Sequence, residues 1–138
     1  MEIKPIAHIR TEFSEKFGIP RQSGLAGHLR ARIVFDPIYR NKDAVRGLEE
    51  FSHIWLIWEF SANRRGGVPA GGDEWQPTVR PPRLGGNAHM GVFATRSPFR
   101  PNALGLSSVR LVGVEVCDGR LELVVAGADL VDGTPVFD

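Results

Sequence analysis

Runs of apolar side chains predict β-strands in the first half of the chain. Residues 29–35 place Leu, Ala, Ile and Phe at alternate positions, which is typical of a strand that buries one face. Residues 3–13 predict a first strand in which Pro5 suits the start or an edge. Residues 51–60 concentrate aromatic and β-branched side chains, so we expect a strand that is buried on both faces.

The second half of the chain predicts a β-hairpin. Residues 104–116 predict a long strand that bends or bulges at Gly113, and residues 120–126 predict its returning partner. Asp118-Gly119 lies between them and is a strong signal for a two-residue turn, since both residues tolerate a positive φ. The apolar residues 92–94 predict one further short strand.

The sequence predicts little helix. Residues 41–50 predict one short helix, with Asn41 as its N-cap and Asp43 in its first turn. Residues 61–90 are rich in glycine and proline and predict a long connection, of a kind that is usually functional or mobile. About six to seven strands with long loops predict a mainly β fold, a small single-domain β-barrel over residues 1–138.

Composition narrows the possible functions. The chain has 138 residues, a formal net charge of +1 and one cysteine, so it can bury one core and form no intrachain disulfide. A single cysteine fits a reducing compartment, and we find neither a signal-peptide core nor an apolar run long enough to cross a bilayer. We therefore expect a cytoplasmic protein with no membrane partner.

The charge is unevenly distributed along the chain. Residues 64–110 carry seven arginines against two acidic residues, whereas acidic residues dominate after residue 110. This pattern predicts a locally basic central surface. The alternative is an ordinary solvated surface with no ligand.

Two arginines lie on a loop that proline stiffens. Pro98 and Pro101 fix their own φ and disfavour a helix around Arg96 and Arg100, and a stiff loop loses little entropy when it binds a ligand. Each guanidinium offers a planar fork of donors that suits carboxylate or phosphate, and Asn102 adds an amide. A surface loop with two solvated arginines is the alternative.

Six segments carry a more specific pattern. The central three are Pro-Pro-Arg-Leu-Gly-Gly-Asn, Gly-Val-Phe-Ala-Thr-Arg-Ser and Arg-Pro-Asn-Ala-Leu-Gly, and the outer three contain Pro-Arg-Gln, Gly-Leu-Glu with Phe-Ser-His, and Asp-Gly-Thr-Pro. Together they resemble the signature of the TsaA/TrmO family, also called YaeB-like proteins, which are S-adenosylmethionine-dependent tRNA methyltransferases. In chain order the segments are residues 18–22, 47–55, 81–87, 91–97, 100–105 and 129–135.

The resemblance implies a fold, an activity and a site. It implies a β-barrel homodimer that methylates N6 of threonylcarbamoyl-adenosine at position 37 of tRNA, with the cofactor pocket near the subunit interface. Arg96 or Arg21 would meet the cofactor carboxylate, and Asp132 its ammonium or ribose hydroxyls. The implied cofactor-binding residues are Pro20, Arg21, Gln22, Ser61, Ala62, Arg96, Leu106, Leu130, Val131, Asp132, Gly133 and Thr134. The expected substrate contacts are Arg83, Arg100 and Asn102.

The sequence departs from the family pattern at several positions. Ser61-Ala62 stands where the family commonly has His and a polar residue, and His89 stands where it usually has Arg. Family members also commonly continue past the position of Asp138. Two alternatives therefore stay open: a methyltransferase of the same fold for a small molecule or another RNA, and a non-catalytic module that binds S-adenosylmethionine.

Other chemistries have little support in the sequence. The four histidines are scattered without metal-ligand spacing, so we expect no metal, and no serine-hydrolase or nucleotide-binding glycine motif is present. We expect Cys117 to be incidental and His53 to be a core histidine with satisfied hydrogen bonds. No residue identifies itself as the catalytic base, which we leave unassigned.

Overall fold

The computed structural model describes residues 1–11, 29–60, 64–65, 68–69, 75–81 and 88–138. In chain order its strands are Ala7–Arg10 (β1), Arg30–Phe35 (β2), His53–Glu59 (β3), Arg64–Arg65 (β4), Val68–Pro69 (β5), Thr78–Val79 (β6), Met90–Gly91 (β7), Leu104–Cys117 (β8), Arg120–Ala126 (β9) and Pro135–Val136 (β10). Short 3₁₀ turns occupy Pro37–Tyr39, Lys42–Val45, Leu48–Glu50 and Val92–Ala94.

Six of these strands close into an antiparallel barrel in the order β1-β10-β3-β8-β9-β2. Closure depends on β1, which pairs on one side with β10 and on the other with β2, so that Ala7 lies opposite both Val136 and Phe35. A closed barrel leaves no unpaired strand edge. The predicted fold class, a mainly β structure with a small barrel and little helix, is confirmed.

The core follows the alternation of the strands. In β2, Ala31 and Ile33 are buried whereas Arg30 and Arg32 are exposed, as the sequence pattern predicts. β9 differs, because residues 123–126 are all buried. The barrel strands also bury Ala7, Ile9, Leu56, Trp58, Val109, Leu121 and Val136.

The β8–β9 hairpin matches its sequence prediction closely. Its register shifts between Leu111 and Gly113, which confirms the predicted irregularity in the long strand. At the turn Asp118 has a φ of 48° and Gly119 a φ of 73°, so both central residues are left-handed, as a tight hairpin of this kind requires. Cys117 ends β8 and its thiol is exposed.

By backbone contacts the chain divides into two compact units. The barrel unit comprises Met1–Trp58 and Leu106–Asp138, and the central unit comprises Glu59–Gly105. Within the central unit, β4 pairs with β5, and β6 pairs with β7 so that Thr78 lies opposite Gly91. The expectation of a single TsaA-like domain over residues 1–138 stays a prediction.

Two local predictions in the first part of the chain are wrong. Residues 41–50 form two 3₁₀ turns rather than one helix, because Gly47 lies between them with a φ of 85°. Asn41 nevertheless caps the first turn, since its side-chain oxygen accepts the N–H of Asp43 at 2.9 Å. The first strand is also shorter than predicted and occupies Ala7–Arg10 only.

The prediction that residues 51–60 are buried on both faces is wrong as well. Leu56 and Trp58 point into the core, but Trp55 is 67% exposed on the opposite face of β3. His53 is exposed too, and its Nδ1 lies 2.9 Å from the Ser52 hydroxyl, so it is not a core histidine. Apolar composition thus fails to distinguish an outward face that is exposed from one that is covered.

Candidate functional site

The C-terminal loop, residues 127–134, holds most of the described residues that were predicted to bind the cofactor. It is hydrogen-bonded to β1: the N–H of Gly133 donates to the carbonyl of Ile9 at 2.8 Å, and the N–H of Ile9 donates to the carbonyl of Thr134 at 3.0 Å. This reciprocal pair fixes the backbone of the loop against the barrel.

The carboxylate of Asp132 is also tied to this strand. Its Oδ1 accepts the backbone N–H of Thr11 at 2.9 Å, and its Oδ2 lies 3.8 Å from Nη1 of Arg10. The Thr11 hydroxyl donates to the carbonyl of Leu130 at 3.3 Å. The Asp132 side chain is 36% exposed, and a carboxylate has more lone pairs than these contacts use, so it keeps acceptor capacity toward solvent.

The turn of the loop is fixed by its own residues. The hydroxyl of Thr134, a residue that is 2% exposed, donates to the carbonyl of Val131 at 2.7 Å, and the Thr134 N–H donates to the same carbonyl at 3.1 Å. Gly133 has a φ of 83°, in the left-handed region that favours glycine. Leu130 is 1% exposed and anchors the loop in the core. The loop is therefore preformed.

A buried polar chain that the sequence did not reveal supports the same loop. The indole N–H of Trp58 donates to the Ser107 hydroxyl at 3.0 Å, and that hydroxyl donates to Oδ1 of Asp129 at 3.2 Å. The chain links β3, β8 and the C-terminal loop. Leu106 precedes Ser107 on β8 and points outward, with 53% of its surface exposed. Ser107 lies within an apolar strand, two residues after the motif glycine Gly105, and nothing in the sequence indicated this role.

The central loop, residues 92–103, holds the other described candidates. Arg100 is half-buried, and its Nη1 donates to the carbonyl of Thr95 at 2.9 Å, so part of this guanidinium stabilises the loop itself. Arg96 and Asn102 are exposed. The predicted strand at residues 92–94 is wrong, because these residues form a 3₁₀ turn.

The structure therefore groups the candidates by unit. The barrel unit brings together the five residues of Leu130–Thr134 and also contains Leu106, whereas Arg96, Arg100 and Asn102 belong to the central unit. The remaining predictions lie outside the described residues. They are Pro20, Arg21, Gln22, Ser61, Ala62 and Arg83.

An ion triad lies on the barrel wall. Nη1 of Arg32 is 2.5 Å from Oε2 of Glu115 and 2.9 Å from Oε2 of Glu122. The hydrogen bond from Arg32 lowers the pKa of the Glu115 carboxyl, and the hydrogen bonds to Glu115 and then Glu122 raise the pKa of Arg32. The triad joins β2, β8 and β9 and contains no predicted site residue.

The barrel unit also has an apolar cavity of about 470 Å³, which the sequence did not predict. Ile38, Tyr39, Leu48 and Trp55 are among its lining residues, and none of the predicted site residues that the structure describes lines it. Among the described residues no group of three or more His, Cys, Asp or Glu side chains could hold a metal ion. No helix in the described ranges is long and apolar enough to cross a membrane.

Comparisons with known proteins agree with the sequence pattern. The family described as tRNA-methyltransferase O N-terminal domain matches residues 8–138. A relative named tRNA (adenine(37)-N6)-methyltransferase from Escherichia coli (strain K12) is 48% identical over 99% of this chain and 55% of its own length. A relative from Pseudomonas aeruginosa, named putative S-adenosylmethionine-dependent methyltransferase RcsF, is 51% identical over 99% of this chain and 52% of its own.

A solved structure shows the same relation. A crystal structure of TrmO from P. aeruginosa is 40% identical, with a TM-score of 0.72, and the alignment covers 100% of this chain and 53% of that one. The chain thus spans about half the length of these relatives. A family match over nearly the whole chain, together with a closed barrel and the preformed loop, identifies it as a member of the tRNA-methyltransferase O N-terminal domain family.

Proposed function

We propose that this protein is an S-adenosylmethionine-dependent methyltransferase that acts on N6 of threonylcarbamoyl-adenosine at position 37 of tRNA. The observation that carries the proposal is the 48% identity over 99% of the chain with a relative named tRNA (adenine(37)-N6)-methyltransferase. Relatives of the same name from Mus musculus and Homo sapiens are 42% and 39% identical over 98% of the chain, which covers 29% and 28% of their own length. The similarity therefore extends over both units rather than one motif.

The residues of the C-terminal loop fit the cofactor chemically. Asp132 offers carboxylate lone pairs to an ammonium group or to ribose hydroxyls, on a backbone already fixed by β1. Leu106 offers an exposed apolar surface in the same unit. Because the loop is preformed, binding would cost little conformational entropy.

The proposed reaction is a displacement at carbon. S-adenosylmethionine, when bound, supplies a methyl group on a sulfonium, whose C–S bond breaks as the new C–N bond forms. The electron pair of the C–S bond would stay on the sulfur, which leaves as a neutral thioether, and the acceptor nitrogen would give its proton to water. The protein's contribution is to hold the reacting atoms in line. We assign no residue as the catalytic base.

Two further properties belong to the same proposal. We infer a homodimer, with the cofactor pocket near the subunit interface, and a cytoplasmic location. The single cysteine, exposed and unpaired, is compatible with a reducing compartment. Sedimentation of a 15.2 kDa species alone at tens of micromolar protein would contradict the dimer.

Methyl transfer from labelled cofactor to tRNA that carries the threonylcarbamoyl group tests the activity. We expect N6-methylated threonylcarbamoyl-adenosine in the nucleoside mass spectrum. Transfer to a small molecule or to other RNA instead, or cofactor binding with no transfer, would replace the proposal by one of its two alternatives. No cofactor binding at millimolar concentration would reject all three.

Variants of Arg96 test the cofactor site by calorimetry. We expect Arg96→Ala to weaken cofactor binding roughly 10- to 150-fold, the effect of losing about 1.5–3 kcal/mol of charge-assisted hydrogen bonding. Arg96→Lys should recover only part of the affinity, because a point charge does not reproduce a bidentate fork. Arg120→Ala, at the start of β9, is the control. Equal affinities for the two alanine variants would remove Arg96 from the site.

A further inference from the structure

Two exposed aromatic side chains of the central unit have no role in the chemistry described above. Phe93 is 72% exposed and Trp75 is 42% exposed. They lie on adjoining backbone segments, since Val92, next to Phe93, donates its N–H to the carbonyl of Pro77 at 2.9 Å, two residues from Trp75. Two large aromatic rings are thus presented to solvent from one small hydrogen-bonded element.

The backbone that carries Phe93 is firmly held. Val92 is 1% exposed, and its carbonyl accepts both the N–H of Thr95 at 3.1 Å and the Thr95 hydroxyl at 2.8 Å. Nη1 of Arg100 then donates to the carbonyl of Thr95 at 2.9 Å. An exposed ring on a fixed backbone loses little entropy when another surface stacks on it.

The charge of the central unit favours an anionic partner. Residues 59–105 contain six arginines and three acidic residues, a formal charge of +3, whereas the rest of the chain contains eleven basic and thirteen acidic residues, a formal charge of −2. Arg80 is exposed, and its Nε donates to Nε2 of His89 at 2.9 Å, which holds the guanidinium at the surface. Basic residues interleaved with exposed aromatic rings are typical of surfaces that bind single-stranded nucleic acid.

We propose that Phe93 and Trp75 form a stacking surface for unpaired nucleotides of the tRNA anticodon loop, with the exposed Arg80 contacting a phosphate. The inference rests on the proposed function and adds an RNA-binding surface to it. The target adenosine lies next to the anticodon, in a loop whose bases can splay out and stack on aromatic side chains. An enzyme that modifies N6 also needs the base out of its stack, and a stacking surface for its neighbours stabilises that arrangement.

Two exposed aromatic residues of the barrel unit provide a matched control for those of the central unit. Phe51 is 63% exposed and Trp55 is 67% exposed, so its aromatic residues are as accessible as those of the central unit. However, Glu49 and Glu50 immediately precede Phe51 and are both exposed. Acidic side chains repel phosphates, so this second aromatic surface is unsuited to RNA and supplies the control.

The test compares Phe93 variants by fluorescence anisotropy with a labelled anticodon stem-loop that carries threonylcarbamoyl-adenosine, at fixed salt. We expect Phe93→Ala to raise the RNA dissociation constant roughly 5- to 150-fold, the range of alanine substitutions at base-stacking positions. Phe93→Trp should retain the affinity, and Phe93→Leu should lose it, because only an aromatic ring stacks on a base. Phe51→Ala should bind as the wild type does, and cofactor affinity should stay unchanged in all four variants.

Several outcomes would overturn the inference. These are wild-type RNA affinity in Phe93→Ala, equal affinity in Phe93→Leu and Phe93→Trp, an equal loss in Phe51→Ala, or a loss that accompanies a changed sedimentation coefficient, which would assign Phe93 to a contact between two copies of the chain. Thermal unfolding of each variant confirms that it is folded. A wild-type protein that binds the stem-loop through Phe93 but transfers no methyl group would reject the proposed activity and leave the surface in place.

Discussion

The C-terminal loop and the central loop both present candidate site residues, but the hydrogen bonds that hold them differ in sequence separation. Asp132 in the C-terminal loop accepts a hydrogen bond from Thr11, which is 121 positions away in the sequence. In the central loop, the Arg100 side chain bonds a carbonyl five positions away, and the Ser97 N–H bonds a hydroxyl two positions away. The C-terminal loop is thus bound to a barrel strand at the far end of the sequence. The central loop is held by its own residues and by nearer segments of the central unit, since the Phe99 carbonyl accepts the N–H of Gln76 at 2.7 Å.

This difference separates two kinds of preorganisation. The hydrogen bond between Thr11 and Asp132 joins residues 121 positions apart, so the chain loses conformational entropy when the two are brought together. Only the contacts of the closed barrel offset this loss. Contacts within a few residues demand little closure entropy and do not depend on distant strands. Perturbing the barrel should therefore release the C-terminal loop more readily than the central loop.

The largest expected effect comes from the buried anchors of the two loops. Leu130→Ala should lower the free energy of unfolding by about 2–5 kcal/mol, because it leaves a cavity in a fully buried site. Val92→Ala, at an equally buried position of the central loop, removes less apolar volume and should cost about 1–2 kcal/mol. Urea unfolding followed by circular dichroism measures both. A larger loss in Val92→Ala would reverse the comparison.

Two glycines test the backbone of the same loops. Gly133 has a φ of 83° and open space where a Cβ would stand, so Gly133→Ala should cost about 1–2 kcal/mol of strain alone. Gly91, just before the central loop, has a φ of −57° and equally open space, so Gly91→Ala should be neutral or slightly stabilising. Thermal unfolding of the two variants distinguishes strain from a general loss of flexibility, which would affect both alike.

Lowering the pH is expected to give the smallest change in stability, and the groups that respond lie on the barrel wall. Arg32 lowers the pKa of Glu115 below its ordinary value of 4.5, so the pair stabilises the fold above that pH and loses its contribution as the pH falls through the lower folded value. We expect the melting temperature of Glu115→Gln to depend less on pH than that of the wild type between about pH 5 and pH 3. Parallel curves for the two proteins would show that the triad does not contribute.

Much of the fold could be predicted because its signals are local. The φ values of Asp118 and Gly119 follow from residue type, and the alternation of β2 fixes which face is buried. The strand predicted at residues 92–94 failed because Thr95 uses both its N–H and its hydroxyl on the carbonyl of Val92, which replaces a sheet hydrogen bond by a turn. Apolar periodicity carries no information about that competition.

The candidate site, like the fold, was only partly predictable from the sequence. The C-terminal loop and its turn at Gly133 could be found from a short motif, since a left-handed residue in a tight turn leaves a sequence signal. The partners that fix the loop could not. Thr11 contributes a backbone N–H, and Ser107 a hydroxyl in the middle of a strand, and neither group is distinguished by its residue type.

The pairing of β1 with β10 also sets an order of events during synthesis. Val136, the partner of Ala7, is translated 129 codons after it, so the barrel cannot close while translation of that interval is in progress. Until then Ile9 and Thr11 lack the acceptors that the C-terminal loop provides. A nascent chain can therefore form the central loop well before it can form the loop that carries Asp132. The proposed cofactor loop therefore forms only after the central loop has been synthesised.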